Sequence, residues 1–230
     1  MFTSLNGIVI IVGNYGSGKT EVSINLAVQA KRAGRDVRVA DLDLVNPYFR
    51  TREARDLLAR LEIPLVLPPA QYMQADLPIL DPGVAGLIRG DAELTILDVG
   101  GDDVGATVLA ALGDSLREKA PTVLQVANPY RPYTDTVEGC LRIRGEIEAS
   151  SKLQVGGWIG NANLMDETTL EEIYHGYDLL QQVAARSGVP LFGITAMGDL
   201  AGGIDARRVS CPVLPMQRQL VPPWMKASTV

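Results

Sequence analysis

Gly13-Asn14-Tyr15-Gly16-Ser17-Gly18-Lys19-Thr20 matches the pattern GxxxxGK[ST] without a gap, and its reading decides the fold. The run before it, residues 8–12, is continuously apolar, as expected for a central strand covered on both faces. The run after it carries Val22, Leu26, Ala30 and Ala33 at spacings of three and four. That spacing predicts a helix with one buried stripe, and Gly34 is placed to end it. Strand, glycine-rich turn and helix in this order are the setting the pattern requires. Glycines let successive backbone N–H groups turn inward at a helix N-terminus, where the helix dipole adds favourable potential for an anion. Gly13, Asn14, Tyr15, Gly16, Ser17 and Gly18 then cradle phosphates, Lys19 reaches the β and γ phosphates as a point charge, and the Thr20 hydroxyl ligates Mg2+. The competing dinucleotide fingerprint GxGxxG needs a third glycine at position 21, where this chain has Glu21.

Outward from the loop, short β-branched runs alternate with helical patterns. Strands are predicted at 37–40, 65–67, 94–97, 122–127, 154–159 and 191–194. Helices are predicted at 51–61, with Ala54, Leu57, Leu58 and Leu61 on one face, and at 106–119, 134–150 and 168–186. Pro68 and Pro69 end the third strand. Between residues 71 and 90, Pro78, Pro82, Gly83, Gly86 and Gly90 leave a loop with a short helix. The alternation predicts an α/β fold, a doubly wound and mostly parallel sheet with helices on both faces. One domain over residues 1–230 is the expected organisation, since no repeat or linker interrupts the pattern.

Composition narrows the function. Hydrophobic residues make up 47% of the 230 and charged ones 21%, enough for a packed core and against disorder. The net charge of -6 repels nucleic-acid phosphates and anionic membranes as a whole-molecule field. Cys140 and Cys211 are isolated, with no CxxC spacing to hold zinc or an iron–sulfur cluster, and read as buried free thiols. The start of the chain lacks a signal-peptide pattern, and residues 8–12 are too few to cross a bilayer, so a cytoplasmic location is expected. Pro222 and Pro223 argue against a C-terminal amphipathic anchor helix.

Acidic residues cluster where the strands end. Asp41-Leu42-Asp43 closes the second strand at the edge where open α/β sheets bind ligands. If the extended geometry continues, both carboxylates project to one side. Asp98 closes the 94–97 strand at the same edge, suited to a Mg2+-bound water, and Gly100 and Gly101 leave N–H groups free to approach a γ-phosphate. Asp102 and Asp103 carry no comparable argument and read as solvated.

In combination these segments resemble the MinD/ParA/nitrogenase-iron-protein class of P-loop ATPases, the SIMIBI class. Four segments over residues 7–199 carry the resemblance: the phosphate loop, Asp41-Leu42-Asp43, Asp98-Val99-Gly100-Gly101, and Gly156–Asn161 followed by Val189–Thr195. The resemblance implies that Asp41 and Asp98 support Mg2+ with Thr20, that Asp43 positions the attacking water beside Lys19, and that Asn161 hydrogen-bonds adenine. It also implies ATP as ligand, slow hydrolysis, and a homodimer that closes on ATP to act on a protein partner. The chain departs from the class at Asn14, where many members carry a lysine that crosses to the partner's nucleotide. Arg50 or Arg52 could substitute as a charge stabiliser, or be solvated residues at a helix start. Nothing supplies the spaced cysteine pair that some members use to bridge subunits.

A guanine site usually carries NKxD, and this chain reads Asn161-Ala162-Asn163-Leu164, which favours ATP. His175 lies within a helical pattern far from any motif. Tyr130, Arg131 and Tyr133 could touch a partner or simply shape a proline-containing loop. Two other readings share the loop: a small-molecule kinase or ligase, in which the phosphoryl group goes to a metabolite, and a nucleotide sensor without turnover.

Overall fold

The apolar run ahead of the glycine-rich turn forms β1 (Gly7–Val12), buried from Ile8 onward. In the computed structural model, which describes residues 2–43, 51–67, 82–101 and 103–220, the turn leads into α1 (Lys19–Arg32) and then β2 (Val37–Leu42). A 3-10 turn at Thr51–Ala54 precedes α2 (Arg55–Arg60) and β3 (Leu65–Val66). Then come α3 (Pro82–Arg89), β4 (Leu94–Val99), α4 (Asp103–Ala111), α5 (Gly113–Glu118), β5 (Thr122–Ala127) and α6 (Val137–Ser151). The remaining elements are β6 (Gly157–Gly160), α7 (Leu170–Ser187), β7 (Leu191–Met197), α8 (Gly198–Ala201) and β8 (Val213–Met216).

The described strands form one sheet in the order β3-β2-β4-β1-β5-β6-β7-β8, and every neighbouring pair is parallel. This is the doubly wound α/β architecture that the alternation predicts. Helices cover both faces because β1 alternates its side chains between them. Val9 and Ile11 join Val22, Ile24 and Leu26 of α1 in one core cluster, while Ile8, Ile10 and Val12 join Leu109, Leu116 and Cys140 in the other. Each fully buried aliphatic side chain there contributes about 1.5–3 kcal/mol of transfer free energy.

Several elements differ from the sequence reading for identifiable reasons. Ala33, expected in the α1 stripe, is exposed, and burial instead spreads round the helix because β8 and the chain just after it cover a second side of it. The strand expected from 154 starts at Gly157, since the Val155 N–H is taken by the Glu148 carboxylate at 2.9 Å. The helix expected over 106–119 divides at Leu112 into α4 and α5. No sequence signal marked β8; it contains Pro215, whose missing N–H is tolerated on a sheet edge. Of the two thiols, both free, Cys140 is buried and Cys211 only half-buried, so the expectation of core packing holds for the first alone. Burial pushes the Cys140 thiol up to about 12 and Cys211 to about 11, which keeps both unreactive at neutral pH. Residues 71–81, Arg50, Asp102 and the segment 221–230 lie outside the described residues, as do the side chains of Arg52 and Asp103. Among the described residues, no helix is long and apolar enough to cross a membrane.

Candidate functional site

The C-terminal ends of β1, β2, β4, β5 and β6 converge on the glycine-rich turn. Gly18 has φ +91°, and a Cβ there would lie 2.2 Å from Asn161 Nδ2, so only glycine fits beneath that amide. The Ser17 N–H donates to the Asn14 carbonyl at 3.2 Å, and Val22 N–H to Gly18 O at 3.0 Å begins the helical ladder. Lys19, only 7% exposed, donates from Nζ to the Asn14 carbonyl at 3.0 Å, which holds its charge over the mouth of the turn. The buried Ser17 hydroxyl has no hydrogen-bond partner among the described residues.

Asp41 and Asp98 are register partners on β2 and β4, and both are fully buried. The Asp98 carboxylate accepts from Ser23 Oγ at 3.2 Å on Oδ1 and from Thr51 Oγ1 at 2.7 Å on Oδ2, and the Thr20 hydroxyl also reaches it. Burial, and then the charge of Asp41, push Asp98 up to about 7; the Thr51 hydroxyl, Lys19 and Thr20 pull the other way. β2 ends at Leu42, and the Asp43 N–H turns back to Asp41 Oδ1 at 3.0 Å. The extended geometry expected through Asp43 therefore stops one residue short, although Asp43 remains buried.

These groups suit Mg2+. Thr20, Asp41 and Asp98 offer hard oxygen donors, and two buried carboxylates side by side gain from a divalent cation. Among the described residues no group of three or more Asp, Glu, His or Cys forms a ready-made cage.

Beyond the acids, the Asp98-Val99-Gly100-Gly101 segment lies directly on the turn. A Cβ on Gly101 would sit 2.7 Å from Lys19 Nζ and 2.8 Å from the Tyr15 nitrogen. Asn161, at the end of β6, is engaged at both ends of its amide: Nδ2 donates to Ser17 O at 2.7 Å, and Oδ1 accepts from the Thr195 hydroxyl at 2.5 Å. In this geometry Asn161 braces the phosphate loop, using one N–H and one lone pair of its amide.

Sequence reasoning missed four contributors. Ser23 lies four residues after Lys19, one helical turn along α1, a spacing that could have flagged it. Thr51 carried no signal. Arg131 Nε donates to Gly16 O at 3.2 Å while Asn14 Nδ2 donates to Pro132 O at 3.0 Å, so the loop after β5 flanks the glycine-rich turn. Exposed Tyr15 and Tyr133 stand on this rim, and the exposed His175 lies away from it, against Tyr130. Lastly, Glu21 accepts the Gln219 N–H, and the Leu220 N–H at 3.1 Å, while Asn25 exchanges hydrogen bonds with the Gln217 backbone at 2.8 and 3.0 Å. Burial pushes Glu21 up to about 7.

A strand, a glycine cradle with its lysine, and a helix at the switch point of a parallel sheet settle the architecture. The fold is that of the P-loop nucleotide-binding proteins. Solved structures share it: FtsY from Mycoplasma mycoides (20% identity over 82% of this chain and 59% of that one, TM-score 0.55) and chloroplast FtsY from Physcomitrella patens (17%, 83% and 58%, TM-score 0.59). A third is the signal recognition particle 54 kDa protein from Aeropyrum pernix K1 in complex with GDP (20%, 83% and 41%, TM-score 0.55). The chain spans less than two thirds of the length of each, and at these identities the likeness is one of fold. No family model and no curated protein matches the chain.

Proposed function

We propose that this chain is a Mg2+-dependent ATP-binding protein of the MinD/ParA-like kind that hydrolyses ATP slowly. In this reading it closes as a homodimer around the nucleotide and regulates a protein partner in the cytoplasm. The observation that carries the reading is the meeting of Lys19, Thr20 and Asp98 at the glycine cradle, with Asp41 as the register partner of Asp98. Lys19 and the loop amides bind and orient the β and γ phosphates, and Thr20, Asp41 and Asp98 hold the cation that neutralises their charge. Bound Mg2+ supplies electrostatic stabilisation of the transferring phosphoryl group. Asp43, next to that centre, orients the attacking water and accepts its proton.

ATP is favoured over GTP because Asn161-Ala162-Asn163-Leu164 puts Leu164 where the NKxD pattern of a guanine site carries its aspartate. GDP in the Aeropyrum pernix structure of similar fold makes guanine nucleotide the competitor to test. Titration with ATP and GTP, each with and without Mg2+, should show Mg2+-dependent binding with ATP the tighter ligand. No binding of either removes the reading, and tighter GTP reverses the base preference.

A second reading is favoured by a cavity of about 100 Å³ walled by Gly13, Asn14, Gly100, Gly101, Glu146 and Ser150. It adjoins the phosphate end of the site and could seat a small phosphoryl acceptor, as a kinase or ligase needs. Turnover that rises many-fold on adding hydroxyl- or carboxylate-bearing metabolites would select this reading over hydrolysis.

A further inference from the structure

We propose that Thr51 is a positioning residue of the metal–nucleotide centre: its hydroxyl fixes the Asp98 carboxylate in the orientation that receives the Mg2+ shell. This rests on the nucleotide-binding reading above and assigns a residue that no motif marks. Thr51 opens the 3-10 turn Thr51–Ala54, which packs against α1 and β2. Its side chain is fully buried, and Oγ1 donates to Asp98 Oδ2 at 2.7 Å across a sequence separation of 47. The opposite oxygen, Oδ1, accepts from Ser23 of α1 at 3.2 Å. Two hydroxyls from different elements thus hold one carboxylate at its two oxygens, which sets the plane of the group.

A carboxylate in such a pair of clamps presents its remaining lone pairs in one direction, and Thr20 lies on it from the start of α1. Groups that orient metal-side ligands from behind influence metal affinity by about 10–100-fold. The turn bearing Thr51 follows the Asp41–Asp43 segment in the chain, so this hydroxyl links the β2 side of the site to the β4 side. A purely structural role, satisfying a buried acceptor, would make the hydroxyl matter for stability and leave the Mg2+ requirement untouched.

The two roles separate in a Mg2+ titration of fluorescent ATP-analogue binding to the full chain. Thr51→Val keeps the shape and removes the donor; it should raise the half-saturating Mg2+ concentration by about 10-fold or more, with nucleotide affinity in EDTA within about 2-fold of wild type. Thr51→Ser keeps the donor and should restore the wild-type Mg2+ requirement. Thr51→Cys, a weak donor of similar size, should fall between them, and it carries the test if the valine variant does not fold. The Mg2+-induced rise in Tm with nucleotide present should follow the same order. An unchanged Mg2+ requirement in the valine and cysteine variants overturns the proposal, as does a serine variant no better than valine. Wild-type protein that binds no nucleotide at all overturns instead the function on which it rests.

Discussion

Asp41 and Asp98 stand opposite one another as register partners on adjacent parallel strands, both out of contact with solvent. Two carboxylates in that position oppose folding while both are ionised, because each is stripped of water and faces a like charge. The fold tolerates them through hydroxyl donors and the Lys19 ammonium, and a divalent cation between them would relieve the remainder.

A pH dependence follows. Asp98 is pushed from 3.8 up to about 7 in the folded chain, so between those values the folded state holds a proton the unfolded state has released. Stability from this group is therefore greatest at low pH and declines as pH rises from about 4 to about 7, the reverse of a salt-bridged carboxylate. In EDTA, Tm should rise between pH 8 and pH 6, and Asp98→Asn should reduce that slope. Mg2+-dependent nucleotide binding should strengthen as pH rises through about 7, since the cation needs the ionised group. A Mg2+ affinity flat from pH 6 to 8 would take Asp98 out of the metal site.

Lys19→Ala and Asp43→Asn should part company. Removing a buried cation from under two phosphates costs about 2–5 kcal/mol of binding, so nucleotide affinity of the alanine variant should fall by about 30-fold or more. Asp43→Asn should bind normally and lose about 10²-fold or more in turnover, as loss of a general base does. Wild-type turnover in the asparagine variant would mean that another residue handles the water.

Gly101 has no room for a side chain. Its Cβ would press on Lys19 Nζ at 2.7 Å and on backbone atoms of Tyr15 and Asn14 at 2.8 and 3.0 Å. The lysine end could yield; the backbone could not. Gly101→Ala should displace the segment after β4 from the phosphate loop and lower turnover by about 10-fold or more through misplacement alone. ADP affinity, measured in parallel, should change less than turnover.

Asn161→Ala removes a buried brace and leaves the Ser17 carbonyl and the Thr195 hydroxyl without their partner. The expected loss of stability is about 1–3 kcal/mol. Comparing ATP with a nucleotide lacking the exocyclic amine then separates bracing from base contact. A variant that weakens both equally has lost the loop's support, whereas one that weakens only ATP has lost an adenine contact.

Glu21→Ala should release the chain after β8 from α1. Amide hydrogen exchange at Gln219 and Leu220 should accelerate by about 10-fold or more, with β1 and β4 amides little changed. Unaltered exchange at those two amides would show that Asn25, through the Gln217 backbone, holds the segment by itself.

Much of the architecture was legible along the chain. The apolar run of β1, the glycines and lysine of the turn, and the three-and-four spacing in α1 are local patterns, and local patterns are set by backbone sterics and side-chain periodicity. The strand-end position of Asp41 and Asp98 was legible for the same reason. Hidden features needed a partner brought from elsewhere: the Glu148 cap that delays β6, the edge position that admits Pro215 into β8, and the phosphate-loop contact of Arg131. No pattern within the Thr51 segment could reveal that its hydroxyl meets a carboxylate two strands on in the chain.

Taken alone, the order of residues determined a parallel α/β sheet with a glycine-rich turn between its first strand and first helix, because those choices depend on spacings within a few residues. Only the tertiary structure decided which side chains serve that turn. Parallel strands bring together groups tens of residues apart, and the charge, burial and hydrogen bonds of Asp98 exist only once β2, β4, α1 and the Thr51 turn have packed.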